Sequence, residues 1–582
     1  MADGARAVLA TLPRTHFRAS AAPDSVPLPP SSDTLEASSA CLATMTIRLR
    51  ELLPALAILV AACSQAPEPS QSTAAKVSTA TPSPVSATAT HADAIAWRKD
   101  DVDAAFASAK ADNKPLFLYW GAVWCPPCNQ VKATLFNRQD FIERSRHFVP
   151  VYIDGDSPRA QQLGARYHVS GYPTMILFRP DGKEIVRLPG EADPEQYMRM
   201  LTMGMNGARP AKEVLAAALS ASPTPPHLSG DDWRMLAYYS WITDDDQLVP
   251  ERSVAPTLQR LAQACPSDQK ETAVRLELKS LAAAATAKGA KAVPDPAASA
   301  KLLLVLADAA LTRENFDTLT EYAGAITGFV TAPQSPERSH LVTSWSDALQ
   351  RLVADESLST ADRLSAVSGE VALARLELKD GPLPAPLLKT VRDEVTRADR
   401  ETTDPYARQA VIDAAADALI EAGLLDEAET LLKSELTRSH SPYYFMVDLA
   451  ELAKKRGDTA AALDWYARSY AAAQGPATRV QWGVRYVNAR IELAPQDVAG
   501  VERAAASVIG ELDPVPDTFY GRNLRSLERM GKRLTEWSKD PAQRAASTRI
   551  RSQMAAVCAK LPAADPARAT CSGALQAQAA RA

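Results

Sequence analysis

Several kinds of chemistry are excluded by what this chain lacks. Histidine is scarce, seven in 582 residues, and no pair has HExxH-like spacing, so a metal-hydrolase site has no scaffold. No extended Lys/Arg run is present and the formal net charge is only −5, which leaves nucleic acid without an electrostatic footprint. Long hydrophobic runs are also missing. The apolar stretch Leu52 to Ala62 has 11 residues, too few to cross a bilayer as a helix but the right length for the core of an export signal. Strand signals fade beyond about Pro223, and the first 91 residues hold no periodic pattern long enough for a folded unit.

Against this background Cys125-Pro126-Pro127-Cys128 stands out, preceded by Trp124 and by the apolar run Pro115 to Trp120. The pattern predicts a strand that delivers a cysteine to the start of a helix. A helix N-terminus carries unsatisfied N–H groups and the positive end of the macrodipole, so Cys125 is expected to have a lowered pKa and to act as a nucleophile. Cys128 follows one turn later on the same face, where its sulfur can resolve a mixed disulfide on Cys125. Proline fits a first helical turn, whose N–H groups have no intrahelical acceptor. Two other uses of a CxxC fit this chain less well. Zinc needs about four ligands, and no second CxxC or matching His pair exists. A purely structural disulfide across so short a loop would gain little from constraining the chain.

Downstream, Phe148 to Asp154 reads as a strand and Pro158 to His168 as a short helix. Val169-Ser170-Gly171-Tyr172-Pro173-Thr174 leads into Met175 to Phe178. A turn at Asp181-Gly182, a strand Glu184 to Leu188 and a helix from about Pro194 to Met205 complete the order β-α-β-α-β-β-α. With WCPPC, the GYPT segment, the Ala96-Trp97 start and the Asn113-Lys114-Pro115 lead into the strand, residues 92–208 resemble the thioredoxin superfamily. The resemblance implies a cis Pro173 facing the cysteines, a Tyr172 backbone that hydrogen-bonds a substrate strand, and Trp124 shielding the site. It also implies a redox-active Cys125–Cys128 pair that needs no bound cofactor or metal. One departure stands out: thioredoxins carry a buried carboxylate and a lysine partner at positions occupied here by Tyr119 and Pro150.

Met45 to Arg50, Leu52 to Ala62 and Val60-Ala61-Ala62-Cys63 together resemble a bacterial lipoprotein signal over 45–63, with Cys63 as the lipidated residue. An ordinary signal peptide or an uncleaved anchor is the alternative. Ser64 resembles the sorting preference for the outer membrane. Residues 1–44 then have no evident role and are taken as a non-native, disordered upstream extension, while 64–91, rich in Pro, Ser, Thr and Ala, read as a tether. Cysteine use agrees with export: Cys558 and Cys571 lie close together and are candidates for a stapling disulfide, and Cys265 reads as a buried inert thiol.

Residues 223–582 are Ala/Leu-rich with helical periodicity in segments such as Ala300 to Leu311, Ala361 to Leu378 and Tyr406 to Ala422. Gly423 and Ala428 are echoed by Gly457 and Ala462, 34 positions later, so 411–475 resemble two degenerate tetratricopeptide-like repeats. A non-repeating helical domain is the alternative.

The expected fold is therefore an α/β thioredoxin-like domain, a mixed sheet flanked by helices, followed by a large all-α half. The expected function is thiol–disulfide exchange with protein thiols and disulfides in the periplasm, on a lipid anchor, served by a membrane redox donor. The direction is taken as reductive, with isomerase and oxidase roles open, and the helical half is expected to bind a peptide or protein. The rival reading is an envelope scaffold whose thioredoxin-like domain is auxiliary.

Overall fold

The computed structural model describes residues 94–576, apart from 100, 189–192, 207–208, 221, 223–225, 242–247 and 379–380. The signal 45–63, Cys63 and the tether 64–91 lie outside the described residues. Among those described, no helix is long and apolar enough to cross a membrane.

The α/β unit runs β1 (Arg98–Lys99), α1 (Val102–Ala111), β2 (Leu116–Gly121), α2 (Pro126–Thr134), α3 (Gln139–Ser145), β3 (Val149–Asp154), α4 (Ala160–Arg166), β4 (Thr174–Phe178), β5 (Glu184–Leu188) and α5 (Pro194–Met205). Helix α3 was not expected; its Phe141 and Ile142 are buried in the core beside Phe117 and Phe148. The sheet order is β1-β3-β2-β4-β5, with β2 parallel to β3 and antiparallel to β4. Every residue of β2 is buried, which is why that strand reads as an unbroken apolar run rather than an alternating one.

Alternation along β2 divides the core in two. Phe117 and Tyr119 face one side, with Met175 and Leu177, and this core continues into Val214, Leu215, Trp233 and Leu236. Leu116, Leu118 and Trp120 face the other, with Ile153 and Ile176, and that core runs through Trp124, Cys125 and Cys128 into Tyr443, Val447, Tyr466 and Trp482. The helical part thus supplies apolar cover to both faces. It begins at Ala211–Ala218 rather than at 223, because Val214 and Leu215 are needed to close the first face.

Further along, the segment expected as one helix from Ala300 to Leu311 breaks at Asp308, whose carboxylate accepts from the N–H groups of Ala310 and Leu311 and starts a new helix. The repeat reading takes physical form at two turns. Gly423 ends the helix Pro405–Ala422 with φ 83°, Gly457 follows Pro442–Lys455 with φ 76°, and each turn returns two N–H groups to the last helical carbonyls. Ala428 and Ala462, fully buried in the helices Leu425–Glu435 and Thr459–Ala472, let each following helix pack closely against its partner.

Candidate active site

Strand β2 ends at Gly121, and the chain turns through Ala122 to Cys125 before α2 begins. Cys125 is the N-cap of α2: its Sγ accepts the Cys128 N–H at 3.3 Å, satisfying one of the free donors of the first turn. Asn129 pins the turn from inside the helix, its Nδ2 donating to Val123 O and to Cys125 O, both at 2.8 Å. Across from the cysteines the Tyr172–Pro173 bond is cis, and the Cys125 thiol donates to Tyr172 O at 3.4 Å. Cys125, Cys128, Trp124, Tyr172 and Pro173 therefore form one cluster, with Cys125 and Cys128 as unbonded thiols.

The surface around that cluster is covered by the chain itself. Trp124 Nε1 donates to Thr478 Oγ1 at 2.9 Å, and Thr478 in turn donates its N–H to Asp156 Oδ1 at 2.7 Å and its hydroxyl to Oδ2 at 2.5 Å. Gln409 Nε2 donates to Trp124 O at 3.2 Å, and the Trp124 ring meets Trp482 edge-on, 4.7 Å between centroids. From the helix Gly521–Trp537, Arg522 lies 4.6 Å from the Tyr172 ring centroid and donates from Nη1 to Ser170 O at 2.9 Å, while Arg525 donates to Val169 O. What remains beside Cys125 is a cavity of about 20 Å³, the room of roughly one water. Tyr172, Val447, Arg485 and Arg522 are among its lining residues.

Around the cysteines, helices of the C-terminal half pack against the α/β unit of the same chain. One expectation is corrected here. Cys125, expected to have a lowered pKa, is only 2% exposed, and burial pushes its thiol well above the usual cysteine value. The helix N-terminus and Lys132 act in the opposite sense, but loss of water outweighs them here.

The missing carboxylate also has an answer. Tyr119 stands there, fully buried, its hydroxyl donating to Cys128 O at 3.4 Å and its ring stacked on Tyr152 at 5.2 Å. Burial holds the Tyr119 phenol well above its ordinary value, so at neutral pH it is a donor and not a proton acceptor. Nearby, burial pushes Asp156 up to about 6 against the two Thr478 hydrogen bonds, and pushes Tyr172 up to about 12.

The remaining cysteines sit apart. Cys558 and Cys571 are joined as a disulfide, Cα–Cα 5.6 Å, in a separate apolar cluster with Leu527, Met530 and Ile550. Cys265, half-buried at the end of the helix Val254–Ala264, has its thiol pushed up to about 11 by burial. Sequence reasoning missed Asp156, Gln409, Thr478 and Arg522 as neighbours of the site. The one local signal was the spacing of Arg522, Arg525 and Arg529 on one helix face, which says nothing about what that face meets.

A five-stranded mixed sheet that presents a CxxC at a helix start opposite a cis-proline loop defines a thioredoxin fold. A family model described as the thioredoxin-like domain matches residues 102–203. Thioredoxin from Mycobacterium tuberculosis is 30% identical over 101 residues, covering 17% of this chain and 83% of its own length. Through this domain the chain belongs to the thioredoxin family. The thiol:disulfide interchange protein DsbD of Pseudomonas fluorescens is 29% identical over 106 residues, 18% of each chain, so the match spans less than a fifth of that relative. The TPR repeat-containing thioredoxin TDX of Arabidopsis thaliana is 29% identical over 90 residues, 16% of this chain and 22% of its own.

Proposed function

We propose that this protein is a thiol–disulfide oxidoreductase that reduces protein disulfides in the cell envelope. The observation that carries the reading is the placement of Cys125 Sγ, which accepts the Cys128 N–H at the start of α2 and faces the Tyr172 carbonyl of the cis-proline loop. Cys125, once deprotonated, attacks one sulfur of a client disulfide and expels the other as a thiolate, which takes up a proton. Cys128 then loses its proton and attacks Cys125 Sγ, releasing the second client thiol and leaving the Cys125–Cys128 disulfide. Two electrons and two protons have passed to the client. A membrane dithiol donor returns them, and no bound cofactor takes part.

The reductive direction is supported by burial. A site that raises the Cys125 pKa withholds thiolate stabilisation from the reduced form, and so favours giving electrons away. Client access requires the contacts of Trp124 and Tyr172 with the helical half to part. Envelope placement is supported by the signal-like 45–63 with Cys63 as the anchor, and by Cys558–Cys571, since structural disulfides persist in oxidising compartments.

The test uses the full chain. Cys128→Ala is expected to accumulate mixed disulfides with envelope proteins on non-reducing gels, and Cys125→Ala to accumulate none. If Cys128→Ala traps nothing and the parent reduces no disulfide, the scaffold reading replaces this one.

A further inference from the structure

Among the described residues, Arg187, Arg275, Arg338, Arg408 and Arg522 are the buried arginines. Four of them meet a carboxylate: Arg187 with Glu184 at 2.8 Å, Arg275 with Asp317 at 2.6 Å, Arg338 with Glu377 at 3.4 Å, and Arg408 with Glu435 at 2.6 Å. Arg522 differs. Its partners are Ser170 O, Gln481 Oε1 at 3.4 Å and the Tyr172 ring, all uncharged. A guanidinium taken out of water without an ion-pair partner is costly, and an anion formed beside it would offset that cost.

The cavity Arg522 lines is the one that holds Cys125, and the tyrosine it covers is the residue whose carbonyl accepts the Cys125 thiol. We propose that the counter-ion of Arg522 is the Cys125 thiolate, so that the helical half supplies the thioredoxin unit with a cation for its own nucleophile. The inference rests on Cys125 being the redox nucleophile. In the reductive step the Cys125 S–H proton goes to solvent, the sulfur pair forms the bond to the client, the client S–S bond breaks, and the departing client thiolate takes up a proton. The charge that Arg522 faces exists between the first two events. The acidic groups that act on Arg522 include Tyr172, Cys125 and Cys128, while Arg525 and Arg529 oppose it, and the cavity it shares with Cys125 is also lined by the carboxylate of Asp448 and the guanidinium of Arg485. Those that act on Cys125 include Cys128, with Tyr119 and Tyr152 beside the pair and Lys132 as a further cation. Burial alone raises the Cys125 thiol and lowers the Arg522 guanidinium, the directions expected of two groups that each lack water.

The experiment compares full-length parent, Arg522→Met and Arg522→Lys. It reads iodoacetamide alkylation of Cys125 across pH, the equilibrium of the Cys125–Cys128 pair with glutathione, and melting of the oxidised protein. With Arg522→Met the titration of Cys125 is expected to rise by about one unit, a factor of about ten, with alkylation slowed to match at fixed pH. Its glutathione equilibrium at neutral pH should stay within about threefold of the parent, because Cys125 is held there as a thiol in the reduced form of both proteins. Arg522→Lys should titrate and alkylate within about threefold of the parent, since it keeps the charge. The proposal is overturned if Arg522→Met titrates as the parent does, or alkylates faster, which would make Arg522 a fastener of the cover. It is equally overturned if oxidised Arg522→Met fails to fold or melts far below the parent, because an uncompensated buried charge should not be what holds the fold. A parent that exchanges no disulfide at all would sink the proposed function instead, while leaving the titration shift as its own result.

Discussion

Two cysteine pairs in this protein are buried to nearly the same extent: Cys125 and Cys128 are 2% and 0% exposed, Cys558 and Cys571 1% and 0%. Their surroundings diverge. Cys558 and Cys571, 13 positions apart, are joined inside an apolar cluster, between the end of one helix and the middle of the next. Cys125 and Cys128 share one helix start, where backbone N–H groups, a cis-proline carbonyl and a buried guanidinium converge. Burial alone therefore does not separate an inert pair from a reactive one. The separation comes from the state of the sulfurs and the groups set around them: the second pair is joined as a disulfide, whereas the first pair are thiols at a helix start beside a cis-proline carbonyl and a buried guanidinium.

Exchanging the roles of the two pairs is the strongest test of that contrast. Cys125→Ser should reduce disulfide exchange by about a thousandfold or more, as loss of a nucleophile does, with little change in the urea midpoint. The double replacement Cys558→Ala with Cys571→Ala should do the reverse, leaving exchange in place while lowering stability by about 3 kcal/mol. A double variant that loses exchange while staying folded would break the comparison.

Next in size is the cover over the reactive pair. Trp124→Ala removes a large buried ring and the bond to Thr478, for a loss of about 3–5 kcal/mol. Mass-resolved labelling should then show Cys125 alkylating roughly tenfold faster than in the parent, as expected when a local opening becomes cheaper, with Cys265 as the unchanged internal reference. Equal rates in parent and variant would mean that the cover does not limit access.

Acidity should tune the same contact. The folded pKa of Asp156, about 6, lies above the ordinary value near 4, so the folded state keeps this proton longer than the unfolded state. Stability from this group is accordingly highest below about pH 4, falls as pH rises to about 6, and stays flat above. Thermal melts of Asp156→Asn should lack that component, on the order of 2 kcal/mol. Asp362, raised to about 6 by burial beside Gln130 and Ser359, contributes with the same sign and remains in the variant. The smallest effect belongs to Tyr119→Phe, which removes only the hydroxyl contact to Cys128 O and should cost under about 1 kcal/mol. The pH profile of exchange should not move; a shifted profile would make Tyr119 part of the proton path.

Local chemistry was enough to specify a good deal from sequence. Helix Pro194–Met205 and strand Glu184–Leu188 were legible to the residue, because an Asp-Pro cap and an Asp-Gly turn punctuate them. The turns at Gly423 and Gly457 were legible for the same kind of reason, since positive φ selects glycine wherever it occurs. Helix α3 and the early helical start at Ala211 were not, because both exist to fill a sheet face whose other occupants are far away in the chain. The site divides in the same manner. That Cys125 begins a helix lay within a short stretch of residues, and that the Pro173 loop would face it was implied by the resemblance to thioredoxins. That Thr478, Gln409 and Arg522 close over it was settled by packing across more than 280 residues of intervening chain. Sequence determines hydrogen-bond geometry over a turn or two, whereas a thiol's pKa depends on water excluded and charges gathered by whatever the folded chain lays on top of it.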